Sequence, residues 1–326
     1  MTQATYDILG IGNAIVDVVA RADEAFLSRH DMHKGSMQLI GAAAADALYA
    51  AMPPGIESSG GSVANSCAVA AGLGARVAYI GKVAGDQLGG VFRHDIEAVG
   101  VHFPTMALIG GAPTARCLIL VTPDGQRTMN TFLGACVTLC EADVDPVLVA
   151  ASEITYLEGY LYDPPEAQAA FKKAAAAAHA AGRQVALSLS DAFCVNRHRA
   201  AFLDLVANHV DILFANEAEI TALYECNTFE EAAEAARQDV GIAVLTRSEA
   251  GSLILRGAGT VKVTAETARV VDTTGAGDAY AAGFLTGLTA GKSLEICGRM
   301  GSIAAAEVIG HYGARPEADL RKLMPG

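Results

Sequence analysis

The stretch Val270-Val271-Asp272-Thr273-Thr274-Gly275-Ala276-Gly277-Asp278 runs directly into a helical pattern over 279–288. A short β-branched run ends in a glycine turn, and a helical pattern begins at once. Backbone N–H groups at a helix start lack partners and carry positive partial charge, so they bind anions. Two glycines let such an anion approach the backbone closely. Asp278 then has two readings. It caps the helix, or it is a general base that takes a proton from a hydroxyl while negative charge develops beside it. Two acids bracketing Gly275-Ala276-Gly277 are more than capping requires.

The same rhythm extends back through the chain. Ile8-Leu9-Gly10-Ile11-Gly12, Val77-Ala78-Tyr79-Ile80-Gly81, Ile154-Thr155-Tyr156-Leu157, Val185-Ala186-Leu187-Ser188-Leu189, Ile212-Leu213-Phe214-Ala215 and Ile242-Ala243-Val244-Leu245 read as short buried strands. Alanine-rich helical stretches such as 167–181 and 228–237 alternate with them. That alternation predicts an α/β protein with a mostly parallel sheet covered on both faces, and one domain over 1–326. Two segments, roughly 14–40 and 105–135, alternate polar with apolar residues instead. Thr122-Pro123-Asp124-Gly125 is a turn signal between 117–121 and 127–133. These segments predict a small β-sheet that serves as a lid, since ligands in such folds lie at the carboxyl ends of the parallel strands.

Two more motifs carry chemistry. Gly60-Gly61-Ser62-Val63-Ala64-Asn65 leads into an apolar helix over 66–73. It is a capped tight turn, or a glycine pair beside an amide that bonds vicinal hydroxyls. In Asn216-Glu217-Ala218-Glu219, residues Asn216 and Glu219 share one face of a first helical turn. They cap that helix, or they hold the waters of a magnesium ion. Gly287-Leu288-Thr289-Ala290-Gly291-Lys292-Ser293 is no P-loop, having three residues between its glycines instead of four. Gly10-Ile11-Gly12-Asn13-Ala14-Ile15 lacks the third glycine of a dinucleotide fingerprint.

Of 326 residues, 52% are hydrophobic and 18% charged, the composition of a packed globular enzyme. A net charge of −13 with no basic block argues against nucleic-acid and anionic-membrane partners. No apolar run approaches the roughly 20 residues of a membrane span. The start Met1-Thr2-Gln3-Ala4-Thr5-Tyr6-Asp7 lacks the pattern of a signal peptide. A cytoplasmic protein is expected, its seven cysteines reduced and mostly buried. His30 and His33 read as a surface turn rather than metal ligands.

In this order and spacing the motifs resemble the ribokinase-like (PfkB) family of carbohydrate and nucleoside kinases. The N-terminal signature is carried by Gly60-Gly61, Asn65, Leu73-Gly74, Gly81, Gly85-Asp86 and Gly89, the C-terminal one by Asp272, Thr274 to Asp278 and Gly283. Within the family the chain is similar to the adenosine kinase branch through Gly12-Asn13 with Asp17, Pro113-Thr114, Leu187-Ser188-Leu189-Ser190 leading to Phe193, and 210–217. The resemblance implies a three-layer α/β/α fold with a small β-sheet lid, and transfer of the ATP γ-phosphoryl group to the primary hydroxyl of a ribonucleoside, adenosine first. A sugar kinase for ribose, fructose or a keto-deoxy acid is the alternative, and a silent nucleoside-binding protein a more distant one.

The resemblance also implies roles. Asp278 is the base; the amides of Gly275, Ala276 and Gly277 form the anion hole, and Arg127 neutralises phosphate charge from the lid. Asn13, Asp17, Gly61 and Asn65 hold the ribose hydroxyls. Met37, Leu39, Met129, Leu133, Leu161 and Phe193 line a nucleobase pocket. Asn216, Thr246, Ser248 and Gly251 serve ATP, although many relatives have glycine where Ser248 stands. Asn216 and Glu219 organise Mg²⁺, and Asp272 with Thr274 and the backbone of 308–313 hold a K⁺ ion. A monomer and a homodimer are equally compatible with the sequence.

Overall fold

The computed structural model describes residues 4–325, so Met1 to Gln3 of the N-terminal stretch read above lie outside the described residues. The first half of the chain supplies strands β1 (Tyr6–Ile11), β2 (Ile15–Arg21), β3 (Met37–Leu39), β4 (Ile56–Gly60), β5 (Val77–Ile80), β6 (Val101–His102), β7 (Ala115–Val121) and β8 (Arg127–Phe132). The second half adds β9 (Ser152–Glu158), β10 (Gln184–Ser188), β11 (Ile212–Asn216), β12 (Ile242–Thr246), β13 (Ser252–Arg256) and β14 (Gly259–Val263).

Nine strands form the main sheet in the order β14-β13-β12-β11-β10-β9-β1-β5-β6. Pairing is parallel from β12 through β6, and β13 and β14 close the other edge antiparallel. Each of the six short strands read between Ile8 and Leu245 is present. Because successive side chains leave a strand on opposite faces, Ile8 and Tyr156 enter one core while Leu9 and Leu157 enter the other. The helices Ser62–Gly72, Ala276–Thr289 and Leu294–Val308 contribute to the first core. Pro165–Ala180, Ala192–His209 and Phe229–Asp239 cover the second. The result is three layers, α/β/α. Among the described residues no helix is long and apolar enough to cross a membrane.

The small sheet has the order β3-β8-β7-β2-β4. Its β4 lies outside the segments 14–40 and 105–135. Ile56-Glu57-Ser58-Ser59-Gly60 has little strand propensity and is extended only through its antiparallel pairing with β2. The hairpin turn closes with Gly125 at φ 83°, joining β7 to β8. On β2 and β7 the even-numbered Val16, Val18, Leu118 and Leu120 are buried in the first core. The odd-numbered Asp17, Cys117 and Ile119 face a cleft instead, with Met37, Leu39, Met129 and Thr131 of β3 and β8.

Val270-Val271 is not a strand: the segment from 264 to 273 is irregular and Val270 is 61% exposed. The β13–β14 hairpin already completes that sheet edge. The backbone of Val271 is satisfied elsewhere, its N–H donating to Ile309 O at 2.8 Å.

Candidate active site

A cleft of about 1670 Å³ separates the small sheet from the carboxyl ends of the parallel strands. Its floor is the glycine turn and the first turn of Ala276–Thr289. Gly275 sits at φ 76°, and a Cβ there would lie 2.6 Å from Ala314 Cα, so only glycine fits. The amide of Ala276 is already used, donating to Thr273 O at 3.2 Å. Those of Gly275, Gly277 and Asp278 have no partner among the described residues. Three unpaired donors therefore line the cleft, with Asp278 N–H in the place expected for Ala276.

Asp278 makes no side-chain cap on its helix. Its Oδ1 accepts from Ser62 Oγ at 2.6 Å, while its carbonyl accepts from Ser66 Oγ at 3.0 Å. Although part of the side chain opens to the cleft, burial is the largest influence on the carboxyl and pushes it up to about 7. The Asp17 charge adds to this; Ser62 and Asn65 oppose it. An acid poised near neutrality and aimed into a cleft is what proton abstraction needs.

Asp17 faces the cleft from β2. Burial raises its carboxyl to about 6 against the pull of Arg315 and Arg127. No side chain or amide among the described residues bonds it. Asn13 follows β1, where Nδ2 donates to Glu158 Oε1 at 2.8 Å and Oδ1 is buried without a partner among the described residues. Gly61 opens the helix Ser62–Gly72 at φ 102°; a Cβ would strike Asn13 O at 2.1 Å. Two unpaired acceptors thus lie near an acid, an arrangement that is costly unless a donor fills it.

Around them lies an apolar wall. Met37, Leu39, Met129 and Leu133 line the cleft from the small sheet, and Phe193, 81% exposed, lines it from the start of Ala192–His209. Leu161 does not belong to this wall; it is buried in the second core. Arg127 is not in the cleft lining either. Its guanidinium pairs with Asp272 at 3.0 Å, both side chains about nine-tenths buried, and lies over the Tyr312 ring.

That pairing bears on a monovalent cation. Asp272 Oδ1 accepts from Thr274 N–H and Oγ1, and Oδ2 accepts from Gly313 N–H and meets Arg127. The positive charge that the site would take from K⁺ is already supplied by a guanidinium. The residues do not fit the ion, and no step is derived through it.

At the far end, Asn216 and Glu219 form a reciprocal cap on Glu217–Tyr224. Asn216 Oδ1 accepts from Glu219 N–H, and Glu219 Oε2 accepts from Asn216 N–H, both at 2.9 Å. Glu219 Oε1 also accepts from Asn216 Nδ2 at 2.6 Å, so Asn216 holds both oxygens of the carboxylate. Burial first, then the Asp191 and Asp278 charges, lift its carboxyl to about 7. A buried acid raised further by two neighbouring acidic charges suits a hydrated divalent cation. Thr246, Ser248 and Gly251 line the same end. Ser248 has φ 50°, a left-handed conformation that disfavours non-glycine residues by about 1–2 kcal/mol. Glycine would relieve this but add about 0.4–1 kcal/mol of unfolded-chain entropy. Ser248→Gly is therefore expected to shift unfolding free energy by no more than about 1.5 kcal/mol, measured by chemical denaturation. A raised KM for ATP in that variant would show that the Ser248 hydroxyl contacts the nucleotide.

Sequence reading missed Glu158, Ser62 and Arg315. Glu158 is buried at the end of β9, accepts from Asn13 and from Val63 N–H at 3.0 Å, and is pushed up to about 7, chiefly by burial. An acid closing an apolar strand just before Gly159 was a usable signal. Ser62 lay inside a quoted motif. Arg315 had no local signal.

Comparison with known proteins agrees with this geometry. Residues 55–320 match the pfkB family carbohydrate kinase pattern. The chain belongs to that family, which makes its reaction a phosphoryl transfer from ATP, usually with Mg²⁺, to a hydroxyl group. It is 54% identical to a solved adenosine kinase from Sinorhizobium meliloti, covering 98% of both chains with a TM-score of 0.90. A probable sugar kinase from Rhizobium etli CFN 42 is 48% identical, with the same coverage and TM-score. Adenosine kinase of Saccharomyces cerevisiae is 28% identical over 337 residues, spanning 95% of this chain and 96% of that protein. The fold is that of these kinases.

Proposed function

We propose that the protein transfers the γ-phosphoryl group of ATP to the 5′ hydroxyl of a ribonucleoside, adenosine. The observation that carries this reading is the pair of unpartnered acceptors, Asp17 and Asn13 Oδ1, beside an apolar wall. A vicinal diol supplies the donors those acceptors lack, and a flat base suits Met37, Leu39, Met129, Leu133 and Phe193 better than a second polar sugar would. The similarity to the Sinorhizobium meliloti adenosine kinase supports the same choice.

In this reading the diol clamp aims the primary hydroxyl at Asp278, which takes its proton. The free amides of Gly275, Gly277 and Asp278 hold the transferring group, and most of the rate comes from positioning and charge stabilisation. Arg127, held on Asp272, acts on the phosphates through space. Mg²⁺ would be held through water by Asn216 and Glu219 and would screen phosphate charge. The small sheet closes the cleft against water, suppressing ATP hydrolysis.

ATP consumption against nucleosides and sugars tests the proposal. Adenosine is the expected acceptor; activity on ribose or fructose alone would move the protein to the sugar kinases, and none at all would favour a silent binder. The pH profile is a second check. Because the base must be ionised and Asp278 stands at about 7, kcat/KM is expected to fall about tenfold per unit below that pH. A flat profile down to pH 5 would remove Asp278 from the role.

A further inference from the structure

Arg315 belongs to neither signature, yet it stands directly behind the catalytic floor. The segment 310–315 wraps the anion-binding turn. Gly313 N–H donates to Asp272 Oδ2 at 3.2 Å, and Ala314 packs against Gly275. One residue later the chain sends a guanidinium inward. Its NH1 meets Asp95 Oδ2 at 3.0 Å, and NH2 donates to Ser59 O at 2.5 Å and Ser59 Oγ at 2.6 Å. Ser59 N–H and Oγ in turn donate to Asp95 at 2.9 and 2.5 Å. The planar fork is thus fixed by β4 and the helix Gln87–Ala98 together.

The remaining nitrogen, Nε, donates to Asn65 Oδ1 at 3.3 Å. A guanidinium has donors only, so the Asn65 atom facing it must be the oxygen. The amide nitrogen is then turned the other way, and the Asn65 side chain helps keep the Asp278 carboxyl ionised. Arg315 is also the stronger of the two positive charges acting on Asp17, ahead of Arg127.

We propose that Arg315 is a positioning residue for phosphoryl transfer, fixing the Asn65 amide with its nitrogen toward Asp278 and supplying the positive charge behind Asp17. The inference rests on the roles of Asp278 and Asp17 given above. It separates two effects of one side chain. The charge acts on acceptor binding through Asp17, whereas the rigid donor acts on turnover through Asn65.

Two experiments test it. In steady-state assays with adenosine and ATP, Arg315→Met is expected to raise KM for adenosine and lower kcat, each about tenfold or more. Arg315→Lys should return KM to within about threefold of wild type without restoring kcat, because an ammonium keeps the charge but not the fork. Wild-type kinetics in Arg315→Met, or equal losses in both variants, overturn the proposal. The second experiment needs neither turnover nor a folded Arg315 variant. In protein labelled with ¹⁵N-asparagine, the Asn65 side-chain NH₂ signal, assigned by its loss in Asn65→Asp, should move when Asp278→Asn is introduced. A signal indifferent to Asp278→Asn refutes the amide orientation. Failure of the wild-type protein to phosphorylate any nucleoside would instead count against the proposed function, and the NMR result would still decide the orientation.

Discussion

Asp278→Asn is expected to lose about a thousandfold or more in kcat while keeping the fold and most of its affinity for the acceptor. Asparagine is isosteric, and its oxygen still accepts from Ser62 Oγ, so the loss isolates the proton-accepting step. The same variant should be the more stable protein at alkaline pH. Folding raises this carboxyl from 3.8 to about 7, so above neutrality the native state carries a charge that its surroundings disfavour, while the unfolded chain ionises freely. Asparagine removes that penalty. Thermal unfolding should therefore begin at a higher temperature in the variant at pH 8, with the gap narrowing as pH falls from about 7 toward 4, because the native-state group is then protonated and carries no disfavoured charge. Turnover within tenfold of wild type would end the general-base assignment.

Asp17→Ala is expected to lower kcat/KM for adenosine about a hundredfold or more, since a charged acceptor on a hydroxyl contributes about 1.5–3 kcal/mol per bond. The sharper measurement uses analogues. Wild-type protein should discriminate against 2′-deoxy- and 3′-deoxyadenosine by a similar factor, because each leaves a buried acceptor unpaired. Asp17→Ala should lose most of that discrimination, as expected when the two changes remove one interaction. Stability should not suffer, for Asp17 lacks a bonding partner among the described residues and burial already pushes its carboxyl up to about 6. Undiminished discrimination in the variant would place the diol elsewhere.

Much of the framework was legible because it is local. The buried strands from Ile8 to Leu245 announce themselves by short apolar runs, and β-branched or aromatic side chains reinforce them. The turn at Thr122 to Gly125 announces the hairpin. The strand β4 was not legible, since its serines and glycine are extended only by pairing with β2. Val270-Val271 is the opposite case: strand-forming residues found no free sheet edge.

The site divides in the same way. Asp278, Gly275, Gly277, Asn216 and Glu219 could be named because a helix start imposes its chemistry on neighbours in sequence. Leu161 could not be distinguished from the apolar wall by composition, and it belongs to the core. Arg127 was expected at the phosphates; its ion pair with Asp272, on a loop 145 residues later, gives it another partner and leaves no room for the charge of a monovalent cation.

By itself, then, the sequence determined the alternation of strands and helices, the glycine turn at a helix start and the acid beside it, all consequences of backbone geometry within a few residues. Only the tertiary structure decided which amides are free, that Glu158 supports Asn13, and that Arg315 reaches Asn65 from 250 residues away. Those outcomes depend on charges and donors meeting across the fold, and on the water that burial takes from them. Nothing in the residues flanking each group reports either.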